Sequence, residues 1–92
     1  MTNCCYIYES VNSVENNFSA DSRDKDGHRV VTFDKKRMLN VFLFHAYIVQ
    51  IESAKDAKSG EERAIITLVS GLRYVTQRGA LEICNEITAV RE

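Results

Sequence analysis

The sequence predicts an α+β fold: a small antiparallel sheet of about four to five strands, arranged as a meander, with a C-terminal amphipathic helix on one face. Three observations predict it. Ala80, Ile83, Cys84, Ile87 and Val90 recur at the spacing of one helical stripe, with Glu82, Asn85 and Glu86 on the opposite side. Two β-branched, apolar runs, residues 64–69 and 72–77, flank the Ser70-Gly71 step and suit a two-residue hairpin. Residues 4–11, C-C-Y-I-Y-E-S-V, are aromatic and β-branched, the composition of a first strand. Ninety-two residues accommodate a single compact domain over 1–92.

Residues 12–28 are rich in Asn, Ser and Asp and form a long polar loop. Arg29–Phe33 is a short second strand, followed by the basic cluster Lys35, Lys36 and Arg37. Residues 38–52 carry only Asn40, His45 and Gln50 as polar members before Glu52. Their aromatic and β-branched content predicts one long strand, with a buried helix as the alternative. Residues 53–63 are a charged connection turning at Gly60, and Gly79 opens the final helix.

In the hairpin, pairing Val69 with Leu72 would set Thr67 opposite Tyr74 and Ile65 opposite Thr76. Arg73 would then share a side with Ile66, Leu68 and Val75, and Tyr74 would lie on the other. A sheet apolar on both sides needs two covers, and one helix supplies one. The expectation is that part of the sheet meets another chain. The alternative is that the 12–28 loop, or a helical 35–52 segment, covers it.

Twelve basic and thirteen acidic residues leave a net charge of −1, unlike a general nucleic-acid coat or an acidic nucleic-acid mimic. Cys4, Cys5 and Cys84 cannot all pair within one chain, which suits a reducing interior. The N-terminal residues lack the pattern of a secretory signal, and the longest apolar stretch is too short to span a bilayer. A soluble cytoplasmic protein is expected.

Candidate chemistry is sparse. Asp24, Asp26 and Gly27 hint at a calcium loop, but Ser22 and Phe33 fall where charged ligands belong, so a polar turn is the better reading. Cys4, Cys5, His28, His45 and Cys84 show no metal-ligand spacing. They are read as buried structural cysteines and incidental histidines. No nucleophile elbow or glycine-rich phosphate loop is present, and Glu61-Glu62 reads as a solvated pair. Asn17-Phe18-Ser19 matches a glycosylation sequon that a cytoplasmic chain would not use. No catalytic, cofactor or metal site, and no small-molecule substrate, is expected.

The basic residues are the lead. Lys35, Lys36 and Arg37 are contiguous, and Arg73 and Arg78 flank Tyr74. Guanidinium forks beside an exposed tyrosine suit phosphate or carboxylate contacts and interface hot spots. The plainer reading is a solvated surface balanced by Asp34 and Glu82.

The stretch I-T-L-V-S-G-L-R-Y-V-T-Q-R-G-A-L-E-I-C-N-E-I resembles the strand–turn–strand–helix of small flagellar regulators of the FlbD type. In length, composition and plan the whole chain is similar to small phage-encoded anti-CRISPR proteins acting on type I surveillance complexes, the I-F group among them. That resemblance implies a non-enzymatic inhibitor seated on a host protein–crRNA complex, blocking target DNA hybridisation. Arginines would meet crRNA phosphates, while Asp24, Asp26, Glu61 and Glu62 would occupy lysine-rich grooves. The alternatives are a small nucleic-acid-binding or transcription-regulatory module, and a self-associating structural protein.

Overall fold

A computed structural model of the chain describes residues 6–14 and 23–91, with side chains to residue 88. Its strands are β1 (Tyr6–Ser13), β2 (Arg29–Val31), β3 (Leu39–Phe44), β4 (Ile48–Asp56), β5 (Glu62–Leu68) and β6 (Arg73–Thr76). One helix, α1 (Ala80–Arg91), closes the chain, and 3-10 turns cover Lys35–Arg37 and His45–Tyr47. The α+β class is the one the sequence predicts. The sheet is wider, with six strands in the order β2-β4-β5-β6-β1-β3, so it is not a meander. Its β2–β4 pair is parallel and the others are antiparallel.

The predicted long strand over 38–52 is extended, but it is two strands. Phe44 lies on the edge of the sheet and Ile48 begins the strand next to the other edge. Four intervening strand spacings amount to about 19 Å in a flat sheet. The link from Phe44 to Ile48 can reach only about 14 Å. The sheet therefore curls, bringing β3 and β4 together at the His45–Tyr47 end. β4 also runs on to Asp56, into residues read as connection, because Asp56 Oδ1 accepts from Lys58 N (2.8 Å) and Ser59 N (3.2 Å) and makes the turn there.

The β5–β6 turn differs by one residue from the sequence reading. Ile66 pairs with Tyr74 and Thr67 with Arg73. Leu68 N donates to Leu72 O, and Gly71 N donates to Leu68 O, leaving Val69, Ser70 and Gly71 as a three-residue loop. Gly71, at φ +96°, takes the left-handed position such a loop requires. The slip moves every side chain relative to its partner. Ala64, Ile66, Leu68 and Tyr74 now share the helix side, while Ile65 and Val75 face the other way.

Each face has its own core. Beneath α1, Ile7, Leu43, Ala64, Ile66, Ala80 and Ile83 are buried together, with Ile51, Tyr74 and Ile87 packed against them. Of the predicted helical stripe, Cys84 is exposed, contrary to the buried role expected of it. Val90's side chain, Cys4 and Cys5, and Asn17 to Ser19 lie outside the described residues. The opposite face is partly covered by the chain itself. Val14, Val31 and Phe33 pack on Ala54, Ile65 and Val75. This is the second cover the sequence demanded, made largely by the segment around β2. The polar loop over 12–28 is shorter than expected: Asn12 and Ser13 belong to β1. Asp24 to His28 is a tight turn, with Asp24 N donating to His28 O at 2.9 Å. Residues 15–22 lie outside the described residues.

Candidate interaction surface

Among the described residues the second cover reaches β6 and the Asn12–Val14 end of β1, and the rest of that face carries aromatic rings. In β1 the alternation Tyr6-Ile7-Tyr8 sends Ile7 to the helix-side core and both tyrosines outward. In β3 the alternation Phe42-Leu43-Phe44 does the same, and the register sets Tyr6 opposite Phe44 and Tyr8 opposite Phe42. The rings interlock. Tyr6 meets Phe42 and Phe44 edge-on, at centroid distances of 5.3 and 5.7 Å, and Tyr8 lies 4.8 Å from Phe42. Tyr47 extends the row, 6.5 Å from Phe44. These five residues remain 41–58% exposed, a large apolar area to leave in water.

The basic cluster Lys35, Lys36 and Arg37 leads through Met38 into β3, the strand that carries Phe42 and Phe44. Asp34 caps its 3-10 turn by accepting from Lys36 N at 2.9 Å, and pairs with Arg37 at 3.8 Å. Buried Asn12 fixes the turn to the sheet. Its Oδ1 accepts from Asp34 N (2.6 Å), and its Nδ2 donates to Asp34 O (3.0 Å) and Arg37 O (3.4 Å). Along the same face, Ser10 Oγ bonds Asn40 Oδ1 at 2.7 Å, and the aromatic rows begin one pair further on. The turn carrying three exposed cations is thus anchored by Asn12 to the face of β1 that also bears Tyr6 and Tyr8.

The other residues singled out from the sequence fare differently. Tyr74 is half-buried against the helix-side core and is not the exposed tyrosine expected. Arg73 and Tyr74 take opposite faces of β6, as the alternation dictates, and Arg73 is half-buried. Arg78 is held within the molecule. Its Nε donates to Glu9 Oε2 at 2.9 Å and its Nη2 reaches the same oxygen, while Glu86 lies at 2.6 Å and Glu82 at 3.6 Å. Glu9 is almost fully buried, so Arg78 is the counter-ion of an internal carboxylate. Those carboxylates raise its pKa further above its already high value. Hence Lys35, Lys36 and Arg37 stand on the candidate surface, while Arg73, Tyr74 and Arg78 do not join them.

Asp24, Asp26 and His28 form the one cluster of potential metal ligands among the described residues, their ligand atoms within 4.8 Å of one another. Asp24 Oδ1 already accepts from Asp26 N (2.9 Å) and His28 N (2.8 Å), and the second of these chiefly lowers its pKa. Asp24 thus organises a polar turn here, as the composition of this stretch predicts. Among the described residues, no helix is long and apolar enough to cross a membrane.

Sequence reasoning missed the aromatic row, although the signal was available. Tyr6-x-Tyr8 and Phe42-x-Phe44 each place two rings on one strand face. Only the β1–β3 pairing, across more than thirty residues of chain, shows that both pairs share a surface. No protein family, curated protein or solved structure matches this chain.

Proposed function

We propose that this protein is a non-enzymatic binding protein that engages a macromolecular partner with its aromatic face and the adjoining basic turn. The observation that carries the reading is the row Tyr6, Tyr8, Phe42, Phe44 and Tyr47, exposed yet in mutual ring contact. Aromatic side chains held in fixed rotamers lose little entropy on binding and dominate interface energetics. Lys35, Lys36 and Arg37 beside them suit carboxylates or phosphates at the rim of such an interface.

In its narrowest form the reading is the phage inhibitor suggested by resemblance: a protein that seats this face on a type I crRNA-guided surveillance complex and blocks target DNA. The edge-to-face rings and the net charge of −1 favour an assembled protein–RNA partner over a free strand. Capture by an immobilised, purified surveillance complex tests it. Stable association is expected, with the double variant Tyr8→Ala/Phe42→Ala weakened at least about thirtyfold, a hot-spot loss of about 2 kcal/mol. No association with the complex would overturn the inhibitor reading. Salt-dependent binding to free RNA or DNA would favour a nucleic-acid-binding module in its place.

A further inference from the structure

The edge of the sheet makes a separate case. β3, Leu39–Phe44, is the last strand in the order and, among the described residues, pairs with β1 alone. It reads L-N-V-F-L-F, with no charge and no proline to blunt it. An uncharged, apolar edge of this kind is a template for another strand.

Which backbone groups point outward follows from the ladder. Gln77 N donates to Ser10 O and Val14 N donates to Arg73 O, so Ser10, Asn12 and Val14 turn their backbone groups toward β6. The intervening Ile7, Glu9 and Val11 therefore bond to β3, opposite Leu43, Val41 and Leu39. Asn40, Phe42 and Phe44 are left with N–H and C=O groups directed away from the sheet.

We infer that β3 pairs antiparallel with β3 of a second copy, about a two-fold axis at Phe42, making one continuous sheet across a dimer. In this register Phe42 faces Phe42, and Asn40 faces Phe44 in both directions. All the outward groups are then used, giving about six hydrogen bonds. Directly paired residues share a face, so the aromatic rows of the two copies merge. Antiparallel pairing also sets the basic turn Lys35–Arg37 of each copy beside the other's His45–Tyr47 turn, where exposed Tyr47 offers a cation–π partner. The two basic turns stay apart by the strand length, about 20 Å. The strand's lack of charge suits a like partner equally well.

Pairing β3 with β4 of a neighbour would build a ring, and it is disfavoured on two counts. The β4 edge is already occupied by β2 at Ala54–Asp56, and its free half carries a register shift between Ile48 and Gln50.

The inference is independent of the proposed partner, and sedimentation equilibrium of the isolated protein across the micromolar range tests it. The expected mass is that of a dimer. Asn40→Pro removes an outward N–H from each copy, leaves the aromatic rings in place, and is expected to weaken the dimer roughly thirtyfold. Phe42→Lys, at a side chain 58% exposed, sets two like charges on the axis and is expected to give a monomer with an unchanged circular dichroism spectrum. Leu81→Lys, exposed on the helix, is expected to remain dimeric. A concentration-independent monomer, a larger ring, or a dimer surviving both edge variants would overturn the inference. Asn40→Pro retaining capture by the surveillance complex would separate the edge from the partner-binding face.

Discussion

At the scale of single residues, two buried ion pairs hold the sheet and explain why some charges are not available to a partner. Asp56 Oδ2 accepts from Phe33 N (3.3 Å) and Arg63 Nε (3.2 Å), and its Oδ1 binds the following turn. Arg63 also donates to Gln77 O at 2.6 Å and lies over the Phe33 ring, 5.2 Å from its centroid. Burial alone would push the Asp56 carboxyl up. Hydrogen bonds from Lys58, Ser59, Arg63 and Phe33 outweigh burial, and the pKa falls below its ordinary value of 3.8. A carboxyl depressed in the folded state contributes stability above its unfolded pKa and loses it as pH falls through the folded value. The urea midpoint is therefore expected to drop on acidification below about pH 4, and Asp56→Asn should flatten that drop while lowering the midpoint at neutral pH. An unchanged acid slope in the variant would assign the effect elsewhere. For the second pair, Arg78→Ala strands the buried Glu9 carboxylate. It is expected to cost about 3 kcal/mol, the low end for such a break because Arg78 is partly open to water. Equilibrium unfolding with an unchanged denaturant slope measures that loss.

At the scale of elements, the β5–β6 hairpin and the helix it feeds show what a sequence can and cannot specify. The apolar runs, the glycine and the amphipathic helix were legible because each is local: period, turn chemistry and composition all lie within about fifteen residues. The register was not, because Ser70-Gly71 is compatible with a two- or a three-residue loop. The packing of Ile66 and Tyr74 beneath α1 decides between them. The same limit explains the tyrosine misread as exposed and the arginine read as a rim cation, since both assignments depend on the register and on a glutamate in β1. Two glycines then make contrasting predictions. Gly71 is left-handed with open space around its Cα, so Gly71→Ala costs only backbone strain, about 1 kcal/mol, which Asn at the same position partly recovers. Gly79 has no such backbone, but a Cβ there would meet Glu62 Cβ at 3.0 Å. Gly79→Ala requires Glu62 and the start of α1 to separate by a few tenths of an ångström, and Asn gives no relief. Thermal unfolding of the four variants should show rescue at 71 and none at 79; equal rescue at both would contradict the contact.

At the scale of the whole molecule, the first strand in the sequence lies between the last strand and the edge. Val11 pairs with Thr76, and Tyr6 pairs with Phe44. This placement could not be read from local pattern, and it is what brings the aromatic row and the basic turn to one surface. It also sets the order of events in folding. The β4–β5–β6 hairpins can close locally, but β1 must find β6 across more than sixty residues before either face has its core. Non-local pairing of this kind pays its loop entropy before it gains contacts, so folding is slow for the chain's size. The chain contains no proline, so isomerisation contributes no phase of tens of seconds. Stopped-flow refolding at low protein concentration, followed by tyrosine fluorescence, is expected to give a single phase in milliseconds to seconds. Val11→Ala, at a fully buried position in β1, should slow that phase less than Ile66→Ala in β5 for an equal loss of stability. The opposite ranking would mean that the β1–β6 pairing forms before the hairpins, and that the long-range contact which builds the candidate surface also nucleates the fold.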